Sequence, residues 1–492
     1  MKNILKSTLI SPFVLLVLLF GCKDDTVTPP VVVIDTGTAD FTRFVSIGNS
    51  LTAGFQSNAL SQRDQTYSFP NLLSQQVRTP FVQPLMKDPG IGSRIRLLNL
   101  APTLVNETGV NPFDPASDIN YQLARPFNNL GIPGAVLYDM MDTTGASSDF
   151  VSKSISRQNP FFSHVLRTHF FGNSVFQQAR NLAPTFISVW IGNNDVLGYA
   201  TSGGVSGTNV GPPYSADPPR TKPTETILFN AWYTQLMDSL KATGAGIVTA
   251  NIADVTTIPF FTTLGPQIRA KLPPGIVFRY QRNGNRGPSN PVTDTTTFSG
   301  APGDPLVTLP GIAYAGLIGH PTGKWYSDNN ISPLPPGIDT TKPFALHPQN
   351  PWPDALTLDE GERTIAQTTI AAYNAIIDSV AGNRGIGVAD VHATLITAST
   401  TGIFVPGVGT FSPAFIVGGL FSYDGVHPSS RGNALIANIW IDVVNQKFNA
   451  SIPHVAVASV PGIPIGKVSA SLPNYDDVSW KGFIDLMNGG RW

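Results

Sequence analysis

The chain has 492 residues, 41% hydrophobic and only 13% charged, with a formal net charge of −1. That apolar fraction can fill a sizeable core and excludes wholesale disorder; near-neutrality excludes a basic phosphate-binding surface, so no nucleic-acid partner is expected. Glycine and proline number 46 and 43, which favours turns and long loops over a helical bundle, and one cysteine excludes a disulfide framework or a zinc knuckle.

The first segment reads as an address. Lys2 and Lys6 precede an apolar run from Leu9 to Phe20, followed by Gly21 and Cys22. The run is shorter than the ~20 residues that span a bilayer. A basic start, a short apolar stretch and a small residue make a signal peptide over residues 1–21. Leu19-Phe20-Gly21-Cys22 resembles the lipobox of bacterial lipoproteins, which implies lipidation of Cys22. A buried free cysteine after a signal peptide is the alternative. Lys23-Asp24-Asp25 resembles the signal that sends Bacteroidetes lipoproteins to the cell surface. Residues 22–40, rich in Thr, Val and Pro, then form a flexible tether. The expected location is the cell envelope, at the outer membrane, held by the lipid and not by a spanning helix.

Five apolar runs read as strands buried on both faces: Phe44 to Ile47, Arg96 to Leu100, Phe186 to Trp190, Ile247 to Asn251 and Ile386 to Asp390. A helix is expected from Thr357, with Glu360 at capping-box spacing and Ile365, Ala372, Tyr373, Ile376 and Val380 on one face. A second follows Ser429 and Ser430, striped by Ile436, Ile439, Trp440, Val443 and Val444. Strands alternating with helices predict an α/β domain over 41–448 built on a parallel sheet. Insertions at about 202–226 and 259–353, rich in Gly and Pro, interrupt it, and residues 449–492 extend it. The first insertion begins seven residues after Asp195 and is a candidate lid. The aromatics of the insertions favour an apolar or sugar substrate.

Four short blocks carry the chemistry. The first strand runs into Gly48-Asn49-Ser50-Leu51, where a serine at a sheet's carboxyl edge is either a helix cap or a nucleophile. Asn129 to Ala135 contains Pro133-Gly134, either a plain turn or a backbone N–H brought close to a ligand oxygen. Gly192-Asn193-Asn194-Asp195 ends another strand with an Asx-turn or an oxyanion donor. In Asp424-Gly425-Val426-His427 the aspartate can fix the imidazole tautomer and leave Nε2 as a base. Asp390 and His392 are a rival pair. No histidine has metal-ligand spacing with a second histidine and a carboxylate, so neither metal nor other cofactor is expected.

In order and spacing, these blocks resemble those of the SGNH hydrolases, also called the GDSL esterase/lipase family. The resemblance spans residues 48 to 427. It implies a three-layer α/β/α fold with a central five-stranded parallel sheet of flavodoxin type. It also implies that Ser50 is the nucleophile, His427 the base and Asp424 its orienting partner. The N–H groups of Ser50 and Gly134 and the Asn194 side chain would form the oxyanion hole. Asn49 stands where the family motif has aspartate, a residue that supports the turn. The implied activity is serine-dependent hydrolysis of a carboxylic ester, whether acylated glycan, lipid or small ester, through an acyl-serine. The alternative is a non-catalytic, ligand-binding surface lipoprotein on the same fold.

Overall fold

The computed structural model describes residues 34–99, 103–146, 149–204, 222–282, 292–301 and 303–462. The signal peptide, Cys22 and most of the tether lie outside the described residues.

Five short strands run parallel in one sheet: β1 (Phe44–Gly48), β2 (Asn129–Gly131), β3 (Phe186–Trp190), β4 (Gly246–Ala250) and β5 (Gly387–Ala389). Their order across the sheet is β5-β4-β3-β1-β2, the flavodoxin-type winding. The chain reverses its direction of travel between β1 and β3, and ligands bind at such a switch point in open α/β sheets.

Alternation along the strands sends side chains to opposite faces. Val45, Ile47, Ile187, Val189 and Ile247 meet α3 (Val175–Asn181), α5 (Thr226–Lys241) and α6 (Glu360–Gly382) on one face. Phe44, Phe186, Trp190, Val248 and Ala250 meet α2 (Phe69–Gln76) and α8 (Ser430–Phe448) on the other. The result is a three-layer α/β/α fold. Ring stacking locks both layers: Phe69 on Trp440 at 5.1 Å and Phe229 on Tyr373 at 3.8 Å between centroids.

Four of the five expected strands lie in this sheet. Arg96 to Leu100 does not. Arg94–Asn99 instead pairs antiparallel with Thr103–Glu107 in a separate hairpin, where Leu98 is 53% exposed. The fifth place belongs to Asn129–Gly131, whose only large apolar residue is Leu130. Asn129 is tolerated in the core because its amide donates to Thr52 O and Gln83 Oε1, each at 2.9 Å, and accepts from Gly131 N.

The helix expected from Thr357 starts two residues later than its capping residues suggest. Thr357 belongs to a two-residue strand paired with Leu306–Val307. Asp359 caps α6, with Glu362 closing the capping box. The buried stripe is accordingly Ala366, Ile370, Tyr373, Ile377 and Val380, and Ile365 faces solvent. For α8 the expected cap is in place, Ser429 Oγ accepting from Gly432 N, and Ile436, Trp440 and Val444 point inward.

The fold also outruns the expected domain limits. Thr38 N donates to Phe448 O at 2.8 Å and Ala39 is buried, so the chain is packed before residue 41. Past Asn449, Ile452, Val455, Val457 and Val460 close over the α8 face. The insertion around 259–353 has a small core of its own, centred on Leu264, Phe278, Val307 and Trp352. Among the described residues no helix is long and apolar enough to cross a membrane.

Candidate active site

Two residues beyond β1, the backbone turns sharply into α1 (Ser50–Ala53). Gly48 is required at this exit, since a Cβ there would lie 2.4 Å from Trp190 O on the neighbouring strand. Asn49, not Ser50, caps the short helix, its Oδ1 accepting from Leu51 N at 3.0 Å. Its Nδ2 donates to Asn193 Oδ1 at 3.3 Å, which ties the ends of β1 and β3 together. Relieved of capping duty, the Ser50 hydroxyl is turned toward the last block.

There, His427 Nε2 lies 2.9 Å from Ser50 Oγ, and His427 Nδ1 lies 2.9 Å from Asp424 Oδ2. All three side chains are buried, Ser50 at 2% exposure and the other two at 0%. The Asp424 carboxylate collects donors on both oxygens: Asn58 N at 3.0 Å on Oδ2, and Ser422 Oγ, Val426 N and His427 N at 2.9–3.1 Å on Oδ1. Burial alone would raise its pKa, but the charge of His427 and these hydrogen bonds hold it below the usual carboxylate value of 3.8. It is therefore ionised at neutral pH. An ionised carboxylate only accepts, so Nδ1 is the nitrogen that donates to Asp424, and Nε2 is left facing the serine.

Gly134 sits in a tight turn after β2 with φ of +75°, a conformation that glycine adopts at no steric cost. The flanking chain is gripped from three sides. Asn159 Nδ2 donates to Pro133 O at 2.8 Å, Asn194 Nδ2 donates to Ala135 O at 2.8 Å, and Leu137 N donates to Asp195 Oδ2 at 2.9 Å. One hydrogen of the Asn194 amide is thus committed to this loop, and an amide carries two. Asn194 opens α4 (Asn194–Thr201) and lines the same cavity as Ser50 and His427. The acidic residue that closes that block, Asp195, also accepts from Thr224 Oγ1 at 2.8 Å, at the returning end of the first insertion. Residues 205–221 of that insertion lie outside the described residues.

The rival pair is not a pair. Asp390 caps α7 (Val391–Thr400), taking Ala393 N at 2.9 Å and Asn251 Nδ2 at 2.7 Å, whereas His392 Nδ1 meets Ile252 O at 3.0 Å. Among the described residues no group of three His, Cys, Asp or Glu could hold a metal ion.

Several supporting residues carry no sequence signal of their own. Asn58 and Ser57 both have positive φ, +64° and +52°, and this kink aims Asn58 N at Asp424 and Ser57 N at Ser422 Oγ. Phe55 lies 4.8 Å from the His427 ring. Asn159 lies in the primary structure far from every block it serves.

Beside Ser50 opens a narrow apolar cavity of about 100 Å³.

No family model matches the chain, and no curated protein does. A solved chain from Slackia heliotrinireducens, proposed to be an SGNH hydrolase, aligns with 82% of this chain and 99% of its own length. Identity is 11% and the TM-score 0.27. An overlap that loose carries no residue role.

Proposed function

We propose that this protein is a serine-dependent carboxylic ester hydrolase of SGNH type, held at the cell envelope by a lipid on Cys22. One observation carries the reading: a buried serine, histidine and aspartate joined in sequence by two 2.9 Å hydrogen bonds. A serine hydroxyl is a weak nucleophile at neutral pH and needs an adjacent base. His427 Nε2 takes the Ser50 proton as Oγ bonds to the ester carbonyl carbon. Asp424 stabilises the imidazolium that forms. The negative charge on the tetrahedral oxygen is met by the N–H groups of Ser50 and Gly134 and by the Asn194 amide. The carbon–alkoxy bond then breaks, and His427 returns its proton to the leaving alcohol. Water, activated by the same histidine, cleaves the acyl-serine to release the acid.

The envelope placement rests on the leader and the position of Cys22 alone. The test of the chemistry is labelling by a fluorophosphonate together with turnover of p-nitrophenyl butyrate, each in wild type and Ser50→Ala. Labelling and turnover lost in Ser50→Ala support the reading. A wild-type protein that neither labels nor turns over any ester is a ligand-binding lipoprotein instead.

A further inference from the structure

The cavity beside Ser50 is far more apolar than ester hydrolysis itself requires. Its walls come from α4, the chain after β4, α7, the hairpin Ile403–Val405/Gly409–Phe411 and the first half of α8, through side chains such as Leu197, Val255, Leu395, Ile403 and Ile436. The polar side chains on it are Ser50, Asn193, Asn194, Thr394 and His427, four of them at the reacting end. Among the described residues, neither insertion supplies the walls, apart from Ile258 at the edge of the second.

An ester has two substituents that could enter such a space. The leaving alcohol and the water that later attacks the acyl-serine use the same side of the carbonyl, because deacylation retraces acylation. That side has to admit water in every cycle. A narrow, apolar recess is a poor water path. It suits the substituent that stays attached to Ser50 through the intermediate, and an acetyl group would leave it empty. An empty apolar recess forfeits the contacts and the transfer free energy that a chain would gain there.

We propose that this cavity is the acyl pocket and that the natural substrate is an ester of a linear alkyl acid considerably longer than acetate. This rests on the hydrolase reading above and narrows it. Buried methylenes contribute binding on the order of fourfold each, so the profile along a chain-length series is steep.

The experiment measures kcat/KM of the full chain on p-nitrophenyl acetate, butyrate and octanoate, and on octyl acetate beside ethyl acetate. Ile403→Trp and Thr394→Phe, which fill the recess from the hairpin and from the half-buried side of α7, are run in parallel. The expected result is a rise of at least tenfold from acetate to octanoate in wild type. The octanoate-to-acetate ratio should fall at least tenfold in a filled variant. Either variant suffices if the other fails to fold. A flat or falling acyl profile in a protein that turns over acetate overturns the acyl pocket and leaves the hydrolase standing. A preference for octyl over ethyl acetate without an acyl-length effect overturns it too, assigning the recess to the alcohol. No turnover of any ester, with no fluorophosphonate labelling, overturns both.

Discussion

His427 can serve as a base in only one tautomer, and Asp424 decides which. Its carboxylate takes the Nδ1 proton at 2.9 Å and is itself clamped by three backbone N–H groups and the Ser422 hydroxyl. Replacing Asp424 by Asn keeps shape and one acceptor, but lets an amide donate to Nδ1 and move the proton to Nε2. On the proposed mechanism kcat/KM on p-nitrophenyl butyrate then falls by about 10⁴, with the circular dichroism spectrum unchanged. A loss below about tenfold would remove Asp424 from its role. The pairing of Asp424 with His427 was legible, because a three-residue spacing across a glycine turn brings the two groups within reach. The donors that clamp Asp424 were not. Asn58 acts through its backbone, and only the consecutive positive φ values of Ser57 and Asn58 aim it.

Among the elements, α6 shows how two valid signals compete. Thr357 with Glu360 and Asp359 with Glu362 both have capping-box spacing, offset by two residues. The pairing of Thr357 with Val307 removes the first from contention, and the second register turns Ala366, Ile370, Tyr373 and Ile377 to the sheet. Asp359 Oδ1 takes Glu362 N at 2.9 Å while Glu362 Oε2 takes Asp359 N at 2.8 Å. Asp359→Ala therefore leaves a buried N–H without its partner. It should lower stability by about 1–2 kcal/mol, read as a shifted urea midpoint with unchanged slope. An unchanged midpoint would remove Asp359 as the cap. The strand Asn129–Gly131 failed to show itself for a different reason. Sheet strands are recognised by apolar and β-branched runs, and this one holds its place through the hydrogen bonds of an asparagine side chain. The hairpin Arg94–Asn99 errs the other way, with an apolar centre but an exposed Leu98.

Across the whole molecule, the blocks at residues 50 and 427 are joined in the sequence only by their resemblance, in order and spacing, to those of the SGNH hydrolases, since each alone reads equally well as a cap or a turn. The acyl recess was not legible at all, since Leu395, Ile403 and Ile436 read the same in a sequence whether they fill a core or line a space. Buried charge is equally silent in sequence, and it governs how the fold responds to pH. Asp118 is 4% exposed. Its Oδ1 accepts from Asn120 N at 2.8 Å, but its Oδ2 has no hydrogen-bond partner among the described residues. Burial pushes its pKa up to about 7, against the opposing pulls of hydrogen bonds from Asn120 and Leu85 and of the Arg167 charge. Arg167 spends its own N–H groups on the carbonyls of Tyr121, Leu123 and Arg125. In the unfolded chain the same carboxyl titrates near its ordinary value of 3.8. Between these two values the folded state holds a proton that the unfolded state has lost, so stability falls as pH rises from about 4 to about 7 and is level beyond. Asp118→Asn removes the titration and keeps the acceptor toward Asn120. The variant should be more stable than wild type at pH 8, by up to about 4 kcal/mol, and the gap should close toward pH 4. Urea unfolding of both proteins at pH 4.5, 6 and 8 measures this directly. A gap that does not change with pH would mean that Asp118 is ionised in the fold, with the Arg167 charge outweighing its burial.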